Sequence, residues 1–418
     1  MNFTLLFAFF LLINLLLKLW LANRQLRHVA PHREQAPTDF AESISLPTHQ
    51  KAADYTLAKL RLGHWDLAID ALVLLGWTLL GGLSLLDQWL LGLIGPGMLQ
   101  QLALVVGFML ITGALNLPIS YYQTFHLEQR FGFNNMTVGL WLSDLVKSTL
   151  VGAVLGMPLI WAVLQLMQSG GSVWWLWAWA LLVAYQLFVM WIAPNFIMPL
   201  FNKFTPMPEG ELKQEIEALG VKCGFPLSGV FVMDGSKRST KANAFFTGLG
   251  KRKKIALFDT LVEKSSTPEL LGVLAHEIGH FRCGHIKQRL AVGILQTAVI
   301  FYLLGLATDP DGKFARLLFD AFGVREISPH VGLVLFSILL EPVSKALGVL
   351  AHAWSRRHEF EADAYAAKVT GNGAALGEAL KKMTSDHLSH PSPAALRVWL
   401  DYSHPPLARR LEALRNAN

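Results

Sequence analysis

Long uninterrupted apolar runs constrain this chain more than any other feature. A helix needs about 20 mostly apolar residues to cross the hydrocarbon core of a bilayer. Seven stretches qualify, near 3–21, 67–94, 99–119, 145–167, 173–198, 287–307 and 331–353. The second is long and holds Asp70 and Asp87, which leaves its ends open. The fourth and fifth are separated only by Gln168-Ser169-Gly170-Gly171-Ser172, a tight hairpin. Trp174, Trp175, Trp177 and Trp179 follow it as an interfacial belt would. Composition agrees: 53% of the residues are hydrophobic and 16% charged, against about 25% charged in a soluble domain. The expected fold is an all-α multi-pass membrane protein of about seven transmembrane helices, with a small α+β domain on the cytoplasmic side.

The first apolar run has no positive charge before it, and its basic residues, Lys18, Arg24 and Arg27, come late. That is the reverse of a signal peptide, so it reads as an uncleaved anchor. Lys and Arg gather in 21–65, 201–286 and 354–418, while the links 95–98 and 168–172 carry none. Seven spans put those basic stretches on one side, and the positive-inside rule makes it cytoplasmic. The loop 308–330 conflicts mildly, since it holds Lys313, Arg316 and Arg325. The net charge of +6 is therefore read as orienting loop charge, with membrane lipid as the partner and no nucleic acid. Cys223 and Cys283 are too few for a disulfide framework and read as small buried hydrophobes. Four segments follow: 1–199 with helices one to five, a polar 200–286, 287–353 with helices six and seven, and a polar 354–418. The two polar segments lie on the same side and can join into one domain.

The chemistry is carried by His276-Glu277-Ile278-Gly279-His280. Pro268 and a capping Thr267 start a helix just before it. Residues four apart share a helix face, so His276 and His280 can present two imidazoles to one zinc ion, and Glu277 can reach a water held there. Zinc lowers the pKa of such a water from about 15.7 to about 7. A neighbouring carboxylate can take its proton and pass it to a leaving amine. A catalytic zinc has three protein ligands and an open position. His285 does not continue a metzincin pattern, because Cys283 and Ile286 stand where that pattern needs Gly and His; it reads as a polar residue where the helix meets the interface. The better source is Ser355 to Ala364, where Glu359 and Asp363 share a face. Glu359 could ligate and Asp363 could hold the far nitrogen of a ligating His, while Glu361 reads as an exposed partner of Arg. Helix spacing does not choose Glu359 over His358.

The two motifs together resemble the membrane-integrated zinc metalloproteases of the CAAX prenyl protease 1 family. The similarity covers nearly the whole chain, including Asn116 to Phe125, Glu128 to Asn134 and Tyr402 to Leu411. It implies that the third ligand is the Glu of an E-x-x-x-D motif, here Glu359, with Asp363 its paired Asp. It further implies that Asn243, in Ser236 to Gly248, holds the substrate backbone. His404, before Pro405 and Pro406, would stabilise the oxyanion with the support of Arg410. The apolar stretches 230–233 and 255–258 read as short strands. They either accept an extended substrate by strand addition or only pack on the zinc helix.

The resemblance implies a zinc metalloendopeptidase with one zinc ion per chain and a large chamber among its helices. Its substrates would be prenylated CAAX peptides or other peptides and proteins at the membrane. The chain shows no ER-retrieval tail, so the expected location is a bacterial inner membrane, or the endoplasmic reticulum in a eukaryote. A bacterial member would cut misfolded or other membrane-associated proteins without lipid specificity. A non-enzymatic scaffold with structural zinc would need a fourth protein ligand. A site-2-type protease would hold its His pair inside a span, whereas Glu269, Arg282 and Lys287 flank this one.

Overall fold

The computed structural model describes residues 3–34, 44–225, 227–247, 253–324, 326–371 and 373–416. Arg325 of the basic loop and Gly248 of the Asn243 segment lie outside them. The amino-terminal half is helical: α1 (Phe3–Val29), α2 (Leu46–Trp77), α3 (Gly82–Ile94), α4 (Met98–Tyr122), α5 (Val138–Ser169) and α6 (Trp174–Ile192). The second apolar run is not one continuous helix. Its chain leaves the helix at Thr78, whose hydroxyl donates to the Leu74 carbonyl at 2.6 Å, and α3 departs from α2 at 51°. Counting that bent pair as one span, the described residues hold up to seven crossings, of which six are single helices. Their outer faces show side chains no aqueous surface would choose, such as Leu72 (66% exposed), Trp177 (58%) and Leu350 (70%).

Between the fifth and sixth spans lies a small α+β unit. Strand β1 (Phe204–Pro206) is followed by α7 (Glu211–Lys222), β2 (Leu227–Met233), β3 (Ala244–Thr247), β4 (Lys253–Phe258) and the helix α8 (Thr267–Arg282). The sheet order is β1-β2-β4-β3, with β2 parallel to β4 and both outer strands antiparallel. The sequence-read strands are the two central ones, and β1 and β3 form the edges. Val230, Ile255 and Leu257 from the sheet meet Leu270, Leu274 and Ile278 of α8 in one buried core. Burying each such side chain is worth about 1.5–3 kcal/mol, so the sheet fixes the rotation of α8 about its axis. Cys223 is buried in this core, while Cys283, at the end of α8, is only half-buried.

The last spans are α9 (His285–Ala307) and α10 (Pro329–Thr370). At about 1.5 Å per residue, the 42 residues of α10 reach about 63 Å. Its amino end, with Val331, Val334 and Leu335, packs in a separate core with Leu104 and Phe319. Its carboxy end packs on α8, and α11 (Gly373–Asp386) and α12 (Leu407–Asn416) complete the cover. One continuous helix, with Pro342 inside it, thus joins the seventh span to the candidate site. A cavity of about 1340 Å³ opens between α1, α2, α10 and the carboxy-terminal segment, lined by Lys18, Lys59, Lys345 and Tyr402 among others. Tyr402, two residues before His404, is among its lining residues.

Candidate metal centre

The cap of the motif helix α8 lies one residue before the Thr267 read from the sequence. Ser266 is the cap, Pro268 lies in the first turn, and the Glu269 carboxylate accepts from the Ser266 amide at 2.8 Å. Farther along, Gly279 lets α8 lie directly on α10: a Cβ there would stand 3.1 Å from the Ala362 backbone. That close approach brings the face carrying His276 and His280 against the one carrying Glu359.

The three side chains converge. Glu359 Oε2 is 3.5 Å from His276 Nε2 and Glu359 Oε1 is 3.3 Å from His280 Nε2. The two Nε2 atoms are 3.2 Å apart. Among the described residues this is the one His/Cys/Asp/Glu group with ligand atoms close enough to hold a metal, all within 4.8 Å. Behind the rings, His276 Nδ1 lies 2.8 Å from Asp363 Oδ1, and His280 Nδ1 lies 3.0 Å from His285 Nδ1. With each Nδ1–H committed there, the neutral rings turn both Nε2 lone pairs toward the same point. Glu359 Oε2 is buried and has no hydrogen-bond donor. Two lone pairs and an unsatisfied buried carboxylate oxygen at one point call for a cation, and the donor set of two imidazoles and one carboxylate suits zinc.

The remaining site residues take distinct places. Arg410, in α12, donates from Nε and Nη2 to the two Asp363 oxygens at 2.8 and 2.7 Å, and its Nη1 stands 3.6 Å from Glu359 Oε2. The pair is buried, with Asp363 1% and Arg410 8% exposed. His404 is open to solvent, with Nε2 3.5 Å from Glu359 Oε1. Glu277 is half-buried and makes no hydrogen bond or ion pair within the described residues; burial pushes its carboxyl above the ordinary range. Burial also pulls His276 down, but the Asp363 and Glu359 carboxylates beside it more than offset that and carry the metal-free ring up to about 9. Asn243 is exposed just before β3, its side-chain oxygen accepting from the Ala244 amide at 2.9 Å. His358, which helix spacing could not separate from Glu359, lies outside the cluster and stacks on His285, ring centroids 3.8 Å apart.

One reading from the sequence needs correction and another needs extension. His285 is not an interfacial polar residue: it is 1% exposed and meets His280. Glu361 does pair with Arg357 at 3.0 Å, yet it also takes His285 Nε2 at 3.0 Å. The signal that could have found them is Gly284, which ends α8 with φ of +76°. Only a glycine adopts that left-handed turn freely, and it returns His285 against the helix just left.

Comparison with known proteins places these features in a family. Residues 25–203 match the model described as the CAAX prenyl protease N-terminal domain, five membrane helices, and residues 206–418 match peptidase family M48. A curated CAAX prenyl protease 1 from Saccharomyces cerevisiae is 41% identical over 72% of this chain and 68% of its own. The Mus musculus CAAX prenyl protease 1 homolog is 32% identical over 98% of this chain and 95% of its own. The crystal structure of Ste24p from S. mikatae superposes with a TM-score of 0.91 at 32% identity, covering 99% of both chains. The chain therefore belongs to the M48 peptidases of the CAAX prenyl protease 1 family, multi-pass membrane metalloendopeptidases.

Proposed function

We propose that this metalloendopeptidase uses one zinc ion per chain, held by His276, His280 and Glu359, to cut CAAX-type prenylated peptides at the membrane surface. The observation that carries the proposal is the convergence of those three side chains near a carboxylate, Glu277, that makes no hydrogen bond or ion pair among the described residues. When bound, zinc supplies a Lewis acid that polarises a carbonyl and makes water acidic near neutral pH. The other steps belong to the chain. Glu277 takes a proton from the water that attacks the scissile carbonyl carbon, and its raised carboxyl pKa suits the later return of that proton to the leaving amine. His404 faces the cluster from the open side and donates to the developing oxyanion, a contribution of about 3–4 kcal/mol for a well-aligned donor. Arg410 holds Asp363 and lends positive charge behind it.

The substrate backbone is placed by β3. Among the described residues that strand pairs with β4 alone, which leaves its other edge to add an extended peptide, and Asn243 stands just before its first residue to align the chain. Segments 200–286 and 354–418 act as one peptidase unit on the cytoplasmic side of the membrane. Lipid specificity is tested by comparing a farnesylated CAAX peptide with its unmodified twin on the purified enzyme. Preferential cleavage of the lipidated peptide is expected. Equal rates would replace it with a general protease of membrane-associated proteins, and zinc in the protein without cleavage of either peptide or of casein would favour a zinc-stabilised scaffold.

A further inference from the structure

The two candidate imidazole ligands are backed in different ways, and one backing is a chain of three residues. We propose that His285 and Glu361 form a positioning relay that holds His280 in the orientation a metal ion needs. His280 Nδ1 is 3.0 Å from His285 Nδ1, His285 Nε2 is 3.0 Å from Glu361 Oε2, and Arg357 Nε donates to Glu361 Oε1 at 3.0 Å. With His285 a neutral imidazole, one proton arrangement satisfies every contact. Glu361 is a carboxylate and accepts, so His285 must carry its proton on Nε2. His285 Nδ1 is then a lone pair, so His280 must donate from its own Nδ1, which leaves His280 Nε2 bare and aimed at Glu359 and His276. The relay therefore sets the tautomer of His280 as well as its angle, as partners behind metal-bound histidines generally do.

The middle member is itself fixed. The His285 ring lies parallel to His358, 3.8 Å between centroids and 8° between planes, and Trp354 covers His358 from 4.7 Å. His285 is also the first residue of α9 after the turn at Gly284. The spanning helix α9 thus begins at the residue that aims a ligand, and α10 supplies both the ligand Glu359 and the terminal acceptor Glu361.

The relay rests on His280 being a metal ligand, and the experiment separates the two ideas. Release of zinc to a chelator would be followed for the full-length detergent-solubilised enzyme and for His285→Phe, Glu361→Ala and Glu361→Gln. Cobalt-substituted protein would report ligand geometry by its visible absorption. Phenylalanine keeps the stack on His358 but accepts no hydrogen bond. His285→Phe should weaken zinc binding about 10–100-fold and change the cobalt spectrum. Glu361→Ala should do less, and Glu361→Gln, whose amide oxygen still accepts from His285, should recover most of that loss. In a His280→Ala background, His285→Phe should add nothing. Zinc affinity and a cobalt spectrum at the wild-type values in both His285→Phe and Glu361→Ala would overturn the relay alone. So would an undiminished additional loss in the His280→Ala background. A wild-type protein that holds no zinc would overturn the metal-centre reading with it. Should His285→Phe fail to fold, the half-exposed Glu361 pair still decides.

Discussion

His276 and His280 stand one turn apart on α8 and meet the same carboxylate, but the structures behind them have opposite character. Behind His276 the acceptor is Asp363, closed in by Arg410, and both are almost wholly inside the protein. Behind His280 the support runs outward through His285 to Glu361, whose side chain is 42% exposed, and to Arg357, at 79%. Breaking a buried ion pair leaves an unpaired charge in a poorly hydrated place and costs about 3–5 kcal/mol. An exposed pair on one helix is worth about 0–1 kcal/mol. The same task, pinning the far nitrogen of an imidazole, is thus tied to the stability of the fold on one arm and nearly free of it on the other.

The largest effects should come where the arms meet. Glu359→Ala should lose both metal and peptide cleavage, while Glu277→Gln should keep metal content and lose cleavage by about 10²–10⁴-fold, the usual share of a general base. Metal analysis alongside peptide turnover checks the contrast; retained metal in Glu359→Ala would break the shared-ligand geometry. Next in size is the buried arm. Asp363→Ala should weaken metal binding about 10–100-fold and also destabilise the protein by about 3–5 kcal/mol, because Arg410 is left without its partner. A melt that shows no loss of stability would mean the two arms are less different than their burial suggests.

The buried arm should also show itself in pH. In the metal-free protein the His276 ring is carried up to about 9 by Asp363 and Glu359, above its ordinary value of about 6.5. A raised folded-state pKa stabilises fully below about 6.5 and loses that contribution as pH rises through about 9. Metal binding runs the other way, since the ring must shed its proton first. The rise in Tm on adding zinc should therefore grow between pH 6.5 and 9.5, measured by thermal melts with and without metal. Asp363→Asn should flatten that growth.

The sequence made the spans and the His-Glu-x-x-His helix legible because each follows from a local rule. Bilayer thickness sets the length of an apolar run, and the 3.6-residue turn sets which side chains share a face. The break at Thr78 escaped because Leu72 to Leu80 is apolar on both sides of it. The choice of Glu359 over His358 depends on the register of α10 against α8, set by the contact of Gly279 with Ala362, and no local pattern encodes a contact between helices 83 residues apart in sequence. The burial of His285 and its contact with Glu361 escaped for the same reason, with the turn at Gly284 deciding where one meets the other. Arg410 was tied to the oxyanion by family likeness, whereas its side chain lies against Asp363.

That inter-helix register can be tested directly. Gly279→Ala puts a methyl group 3.1 Å from the Ala362 backbone, and overpacking of this kind costs about 1–3 kcal/mol. Because Glu359, Glu361 and Asp363 lie within about one turn of Ala362 on α10, a shift of that segment moves them together, so both arms should loosen and metal affinity should fall along with Tm. The smallest effect belongs to the exposed end of the outer arm. Arg357→Ala removes one donor to Glu361 but leaves the carboxylate free to accept from His285. It should change stability by no more than about 1 kcal/mol and metal release only slightly, by equilibrium melts and a chelator challenge. A large loss in Arg357→Ala would mean that Glu361 depends on its arginine as closely as Asp363 depends on Arg410, and the contrast between the two arms would disappear.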